Sequence, residues 1–176
     1  QGLAEYVASQ NSGGAPLACA IAYDTRHRSR HFAELCSEIM VAAGFKVYFL
    51  DGYRSTPELS FCVRHKRCSC GIMVTASHNP PDYNGMKFVR QQSRPISGDT
   101  GLKDIQRIAE ADVYSAPLKK GARHTLDISS KYIEHLRSYL EPEKLKKLRV
   151  VVNAGNGGAG AIVDQLEKHL PFEFIK

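Results

Sequence analysis

The first half of the chain alternates between short apolar runs and longer segments with helical spacing. Three apolar runs predict buried strands: residues 18–23, 45–50 and 71–76. Between the first two, apolar residues recur every three or four positions from about Ser29 until Gly44, which predicts an amphipathic helix with a glycine stop. Thr56 can cap a second helix, with Pro57 at its first position.

This order of strand, helix, strand, helix, strand predicts a parallel sheet, because right-handed crossovers place successive strands side by side. After a strong turn signal at residues 82–85, residues 86–90 can return as a further strand. The predicted fold class is therefore α/β, with a mixed, mainly parallel sheet sandwiched by helices.

The second half predicts two further helices, at residues 102–111 and 128–140. The segment 112–125 contains proline, glycine and several basic residues, and we interpret it as connecting chain or irregular edge structure. A strand, a glycine-rich turn and a helix then follow from residue 148. We expect a first domain at residues 1–145 and the incomplete start of a second, similar α/β domain at residues 146–176 of a longer protein.

Composition agrees with a globular protein, since 43% of the 176 residues are hydrophobic and 24% are charged. No apolar stretch approaches the roughly 20 residues of a membrane span, and residues 1–10 do not resemble a secretory signal. The five cysteines are an odd number, which fits reduced thiols. We therefore expect a cytoplasmic protein with no membrane partner. Its net charge of +6 favours anionic ligands without choosing between small phosphates and nucleic acid.

A candidate nucleophile, Ser77, follows the third strand on a loop that Pro80 and Pro81 stiffen. Arg26 follows the first strand, so both residues should lie at the same edge of a parallel sheet. Phosphoryl transfer needs cationic groups around the reacting oxygens, and Arg26, His78 and Lys87 could supply them. The same residues also fit a simple turn in which Ser77 hydrogen-bonds nearby backbone, and the residues alone leave both interpretations open.

Residues 74–87, which read VTASHNPPDYNGMK, closely resemble the phosphoserine loop of the α-D-phosphohexomutases. Residues 21–26 resemble the first strand and the Asp-x-Arg turn of that family, and residues 55–57 its segment after the second strand. The resemblance covers roughly residues 16–90, and more loosely residues 148–160.

The resemblance implies that Ser77 carries a phosphoryl group and transfers it to a hexose 1-phosphate. A bisphosphorylated sugar then forms, turns over and returns its other phosphoryl group to the serine, which leaves hexose 6-phosphate. The implied catalytic residues are Ser77, Lys87, Arg26 and His78, and the implied substrate-binding residues are Arg26, His78, Asn79 and Lys87. Lys87 is the better candidate for proton transfer, since an ammonium among other cations releases its proton more readily.

The resemblance also implies Mg²⁺, bound by a phosphoryl oxygen on Ser77 together with three aspartates of a loop that this sequence lacks. Hexose 1,6-bisphosphate is the implied activator and intermediate. Phosphorylated hexose and the C-terminal domains of the same chain are the implied partners. The sequence of residues 81–85 favours glucose and mannose as the hexoses. We expect the chain alone to be inactive in the mutase reaction.

Two alternatives remain. The glycine-rich turn at residues 155–160 could bind a dinucleotide, but its spacing departs from the G-x-G-x-x-G pattern and a plain strand-to-helix turn explains it better. The chain could instead be a non-catalytic α/β module that binds phosphosugars or nucleic acid. We predict no nucleic-acid partner, because the sequence has no interleaved stripe of aromatic and basic residues.

Overall fold

The computed structural model describes residues 1–117 and 119–176. Its helices are α1 (Gly2–Ser9), α2 (Ser29–Ala42), α3 (Thr56–His65), α4 (Lys103–Ala111), α5 (Ser129–Arg137) and α6 (Ala159–Leu166). Its strands are β1 (Ala18–Tyr23), β2 (Lys46–Leu50), β3 (Cys70–Val74), β4 (Met86–Arg90), β5 (Arg94–Pro95), β6 (Ala122–Leu126), β7 (Arg149–Val151) and β8 (Glu173–Ile175).

In the part of the chain that the structure describes, six strands form the main sheet, in the order β5-β4-β3-β1-β2-β6. β1 pairs in parallel with β2 and β3, and β2 pairs in parallel with β6. β4 returns antiparallel to β3, and the short β5 is antiparallel to β4. This mixed, mainly parallel sheet confirms the predicted fold class.

Helices cover both faces of the sheet. Alternate β1 residues on one face, such as Ile21 and Tyr23, pack in a core with α1, α2 and α4. Ala20 and Ala22 on the other face pack in a second core with α3 and Ile128. Burial on both faces explains why the central strands are continuously apolar.

The start of α3 is fixed by a capping box. Ser55 is the N-cap, and the Glu58 carboxylate accepts hydrogen bonds from the Ser55 backbone N–H (2.8 Å) and hydroxyl (2.9 Å). The sequence had predicted the cap at Thr56, one residue later. The serine is the better cap because Glu58, three residues on, reaches back to its backbone.

Three elements were not predicted from the sequence: α1, the two-residue strand β5 and the edge strand β6. The segment 112–125, expected as connecting chain or irregular edge structure, contains the regular parallel edge strand β6, while Leu118 lies outside the described residues. The N-terminal residues form α1, which buries Leu3, Tyr6 and Val7 against the first core.

β7 and β8 form a separate parallel pair. The glycine turn and α6 connect them along the chain. No residue of β7, α6 or β8 is buried. The domain boundary at residues 145 and 146 stays a prediction. Within the described residues, no helix has the length and apolar character that crossing a membrane requires.

Candidate active site

Ser77 lies on the loop between β3 and β4, at the carboxyl edge of the parallel strands. Its side chain is exposed, and its backbone adopts the left-handed conformation with φ of 58°. The Ser77 N–H donates to the Thr75 hydroxyl at 2.9 Å. A left-handed serine costs roughly 1 kcal/mol, so its surroundings must hold this conformation.

Arg26 holds the loop from the neighbouring strand end. Its Nη2 donates to the Ser77 carbonyl oxygen, and its Nη1 donates to the carbonyl oxygens of Pro80 and Tyr83. The Arg26 side chain is only 9% exposed, and its Nε lies 3.3 Å from the Asp24 carboxylate at an angle that makes no hydrogen bond. Guanidinium donors thus hold three main-chain oxygens of the serine loop in place.

A second set of polar contacts supports the far end of the loop. The Ser29 hydroxyl is buried and lies 2.7 Å from an Asp24 oxygen and 2.8 Å from the Asn84 amide oxygen. The Asn84 amide nitrogen donates to the His27 carbonyl at 2.6 Å. The turn after β1 therefore supports the serine loop at both ends.

A cavity of about 460 Å³ opens at this edge of the sheet. Its lining includes Asp24, Thr25, Arg26, Arg54, Ser55, Thr56, Ser77, Asn79 and the glycine turn at residues 156–158. The Thr25 hydroxyl donates to the Asn156 carbonyl at 2.8 Å, which fastens that turn to the loop after β1. The volume lies within the range of about 300–1,000 Å³ that is typical of small-molecule sites.

The predicted cations do not all occupy this cavity. Arg26 and Asn79 line it beside Ser77, as the sequence analysis expected. His78 and Lys87 are exposed and do not contribute to its lining. Lys87 lies opposite Met73 in the β3–β4 pair, so its side chain shares a sheet face with a residue that does line the cavity. The catalytic and binding roles of these four residues stay predictions.

The sequence analysis missed Arg54 and the glycine turn as parts of this wall. Arg54 donates to Glu58 (3.1 Å), to Ser129 (2.6 Å) and to Asp127 (3.1 Å), which joins α3 to the start of α5. The spacing of four residues between Arg54 and Glu58 was the one local signal of this pairing.

The described residues do not by themselves make a magnesium site. They contain no group of three or more acidic, histidine or cysteine side chains that could hold a metal ion. Among the described residues, Asp24 is the one carboxylate in the lining of the cavity, and it is engaged by Arg26 and Ser29. Mg²⁺ prefers an octahedron of oxygen ligands, which one occupied carboxylate cannot provide.

Comparison with known proteins agrees with this geometry. Residues 1–115 match the family model described as phosphoglucomutase/phosphomannomutase, alpha/beta/alpha domain I. The chain is 47% identical to phosphohexose mutases of Xanthomonas campestris over 156 residues, which is 89% of this chain and 35% of the relative. It is 38% identical to a phosphomannomutase of Vibrio cholerae, covering 98% of this chain and 38% of that protein.

Solved structures show the same architecture. A phosphoglucomutase/phosphomannomutase family protein of Burkholderia thailandensis superposes with a TM-score of 0.76 at 26% identity, covering 99% of this chain and 38% of that one. A protein of Thermus thermophilus named as a putative phosphomannomutase gives a TM-score of 0.69 at 30% identity, covering 99% of this chain and 40% of that one. The chain thus spans little more than a third of the length of these relatives. With its first 115 residues matching the domain that bears the serine loop, the chain belongs to the phosphoglucomutase/phosphomannomutase family.

Proposed function

We propose that this chain supplies the phosphoryl-carrying serine of an enzyme that interconverts hexose 1-phosphate and hexose 6-phosphate. The observation that supports this most directly is the exposed Ser77, placed at the carboxyl edge of the sheet on a loop that Arg26 fixes through three carbonyl oxygens. The relatives named as phosphohexose mutases and phosphomannomutases support the same reaction class.

In the proposed reaction, the free 6-hydroxyl of a hexose 1-phosphate attacks the phosphorus carried on Ser77. The bond between phosphorus and Ser77 Oγ breaks, the sugar becomes a 1,6-bisphosphate, and the hydroxyl proton moves to a base. The bisphosphate then presents its other end, and Ser77 Oγ attacks the phosphorus at C1. The bond between that phosphorus and the sugar O1 breaks, O1 takes the proton back from the base, and hexose 6-phosphate leaves. Ser77 ends in the phosphorylated state in which it began.

Four residues of this chain have proposed roles in positioning the serine, transferring the proton and contacting the substrate. Arg26 positions Ser77, since its donors bind the loop backbone. We propose Lys87 as the group that exchanges the hydroxyl proton, because it shares a sheet face with Met73 in the cavity wall. His78, exposed next to Ser77, and Asn79, in the cavity lining, would contact the sugar phosphate.

We further propose that the full-length enzyme uses Mg²⁺, bound to a phosphoryl oxygen on Ser77 and to carboxylates outside this chain, with hexose 1,6-bisphosphate as activator. Glucose and mannose phosphates are the proposed substrates. The five free cysteines support a cytoplasmic location, because reducing compartments keep thiols unpaired.

The test is Ser77→Ala in the full-length enzyme, with Ser138→Ala, an exposed serine at the end of α5, as the matched control. We expect loss of about 10³-fold or more in turnover of glucose 1-phosphate and mannose 1-phosphate, as for removal of other covalent nucleophiles. Incubation with hexose 1,6-bisphosphate should add one phosphoryl group to the wild type and to Ser138→Ala, but none to Ser77→Ala, as read by intact mass. Undiminished turnover in Ser77→Ala would refute the proposal.

A further inference from the structure

A second cavity, of about 260 Å³, lies at the other end of the main sheet from Ser77. Its polar lining residues are Tyr6, Gln10, Asn11, Arg67, Ser69, Arg90 and Gln91. Ser69 pairs with Ala18 at the amino end of β1, and Arg90 lies opposite Cys70 at the amino end of β3. The length of β3 alone, at about 3.3 Å per residue, separates this cavity from the serine loop by about 13 Å.

The charges around this cavity are all positive. Arg67 and Arg90 line it, and the lining contains no aspartate or glutamate. Arg94 lies directly opposite Arg90 in the antiparallel β4–β5 pair, so the two side chains project from the same face of the sheet. None of these three arginines forms an ion pair within residues 1–117 and 119–176. Like charges directly opposite each other destabilise a strand pair, so the free protein carries an unfavourable interaction here.

Several residues around this cavity adopt the left-handed backbone conformation, which is unfavourable for residues other than glycine. Arg67 adopts φ of 51° just beyond the end of α3, a position where glycine is usual. Gln92 and Ser93, which connect Arg90 to Arg94, both adopt φ of 60°. The Arg90 Nε atom is buried without a hydrogen-bond partner. A buried guanidinium donor is costly to leave unmatched, so the free protein carries a second unfavourable feature at Arg90.

From these contacts we infer that Arg67, Arg90 and Arg94 form a second anion site, which binds a small oxyanion of the phosphate class at the amino ends of β1 and β3. The cavity is smaller than the range of about 300–1,000 Å³ of typical small-molecule sites, so it suits inorganic phosphate or a single phosphate group rather than a nucleotide. Arg67 and Arg90 contact the anion, with amide donors from Asn11 and Gln91 in the same lining. Arg94 adds charge from outside the lining.

The test is a titration of this chain with inorganic phosphate at constant ionic strength, followed by backbone amide NMR shifts. We expect saturable shifts at Ser69 and Gln91, separate from any shifts at Ser77 and Asn79 that report the serine loop. Chloride should produce no saturable shift at Ser69 and Gln91. Hexose 6-phosphate in place of phosphate tells whether the anion is accepted free or as part of a sugar. Shifts confined to the serine loop would overturn the inference and leave the proposed function standing.

Substitutions then separate binding from simple structural support. Arg67→Gln and Arg90→Gln should each weaken phosphate binding at this site by about tenfold, the size of one lost charge-assisted hydrogen bond. Arg107→Gln, an exposed arginine on α4, is the matched control and should bind as the wild type does.

Arg94→Gln gives a second readout, which does not depend on folding of the Arg90 variant. Without phosphate, the melting temperature of Arg94→Gln should equal or exceed that of the wild type, because the repulsion between Arg90 and Arg94 is relieved. The rise in melting temperature on adding phosphate should be smaller for Arg94→Gln than for the wild type. Equal gains for Arg94→Gln, Arg107→Gln and wild type would contradict the site.

Discussion

Replacing Arg54 by methionine would leave a buried carboxylate without its counter-charge. In the Arg54–Glu58 pair the side chains are 11% and 1% exposed, and the shortest separation of their charged atoms is 3.1 Å. The same guanidinium also donates to Ser129 at 2.6 Å and to Asp127 at 3.1 Å. The substitution therefore removes one side of a buried ion pair and the links from α3 to α5.

The expected loss of unfolding free energy depends on the hydrogen bonds that Glu58 retains after the substitution. Removing one member of a buried ion pair costs about 3–5 kcal/mol, because the other charge stays buried. Glu58 still accepts two hydrogen bonds from Ser55, at 2.8 and 2.9 Å. We therefore expect the lower end of that range, about 3 kcal/mol lost from the free energy of unfolding. An exposed pair such as Arg107–Asp104 should give at most about 1 kcal/mol.

Urea denaturation of the wild type, Arg54→Met and the control Arg107→Met measures these free energies. Adding Glu58→Gln completes a double-mutant cycle, and Arg54→Met should cost about 1–2 kcal/mol less in that background, since no buried charge is left behind. A loss below about 0.5 kcal/mol in Arg54→Met would refute this account of the pair, as would an equal cost in both backgrounds.

Two further predictions concern the residues on either side of β6, Gly121 and Asp127. Hydrogen bonds from Ser129, aided by the charge of Arg54, hold the pKa of Asp127 below its ordinary value. The stability that this carboxylate adds is therefore present above its unfolded pKa of about 3.8 and is lost as the pH falls through the lower folded pKa, so wild type and Asp127→Asn should converge in urea titrations below about pH 4. Because Asp127 is 68% exposed, the difference at neutral pH should stay below about 1 kcal/mol, and a gap that widens in acid would contradict the assignment. Gly121→Ala should lower the free energy of unfolding by about 3 kcal/mol, because a Cβ there overlaps the Phe45 backbone at the start of β6, whereas Gly98→Ala meets open space and should match the wild type within about 0.5 kcal/mol.

The central strands were predictable because each is a short, continuous run of apolar residues. β1 and β3 are buried on both faces, so each appears as an unbroken apolar run. β6 is exposed at four of its five positions and joins the sheet only through its pairing with β2. Its sequence has no apolar pattern, so the edge strand could not be distinguished from a loop.

The candidate site likewise has parts that the sequence predicted and parts that it did not. Ser77 and its proline-stiffened loop were predictable from a short contiguous motif, and Arg26 was expected nearby because parallel strands end at one edge. The contacts of Arg26 with three backbone oxygens were not predictable, since main-chain partners leave no trace in residue type. Arg54 was missed because Asp127 and Ser129, two of its partners, lie more than 70 residues away along the chain.

The way Arg26 binds the serine loop has a consequence for protein engineering. Its acceptors at Ser77, Pro80 and Tyr83 are peptide oxygens, which every amino acid provides. Side chains at positions 78, 82 and 83 can therefore be randomised while the loop keeps its backbone contacts with Arg26. Most variants in a library directed at these positions should therefore fold with the same loop backbone, provided that Arg26 and the Asp24–Ser29–Asn84 contacts are left intact.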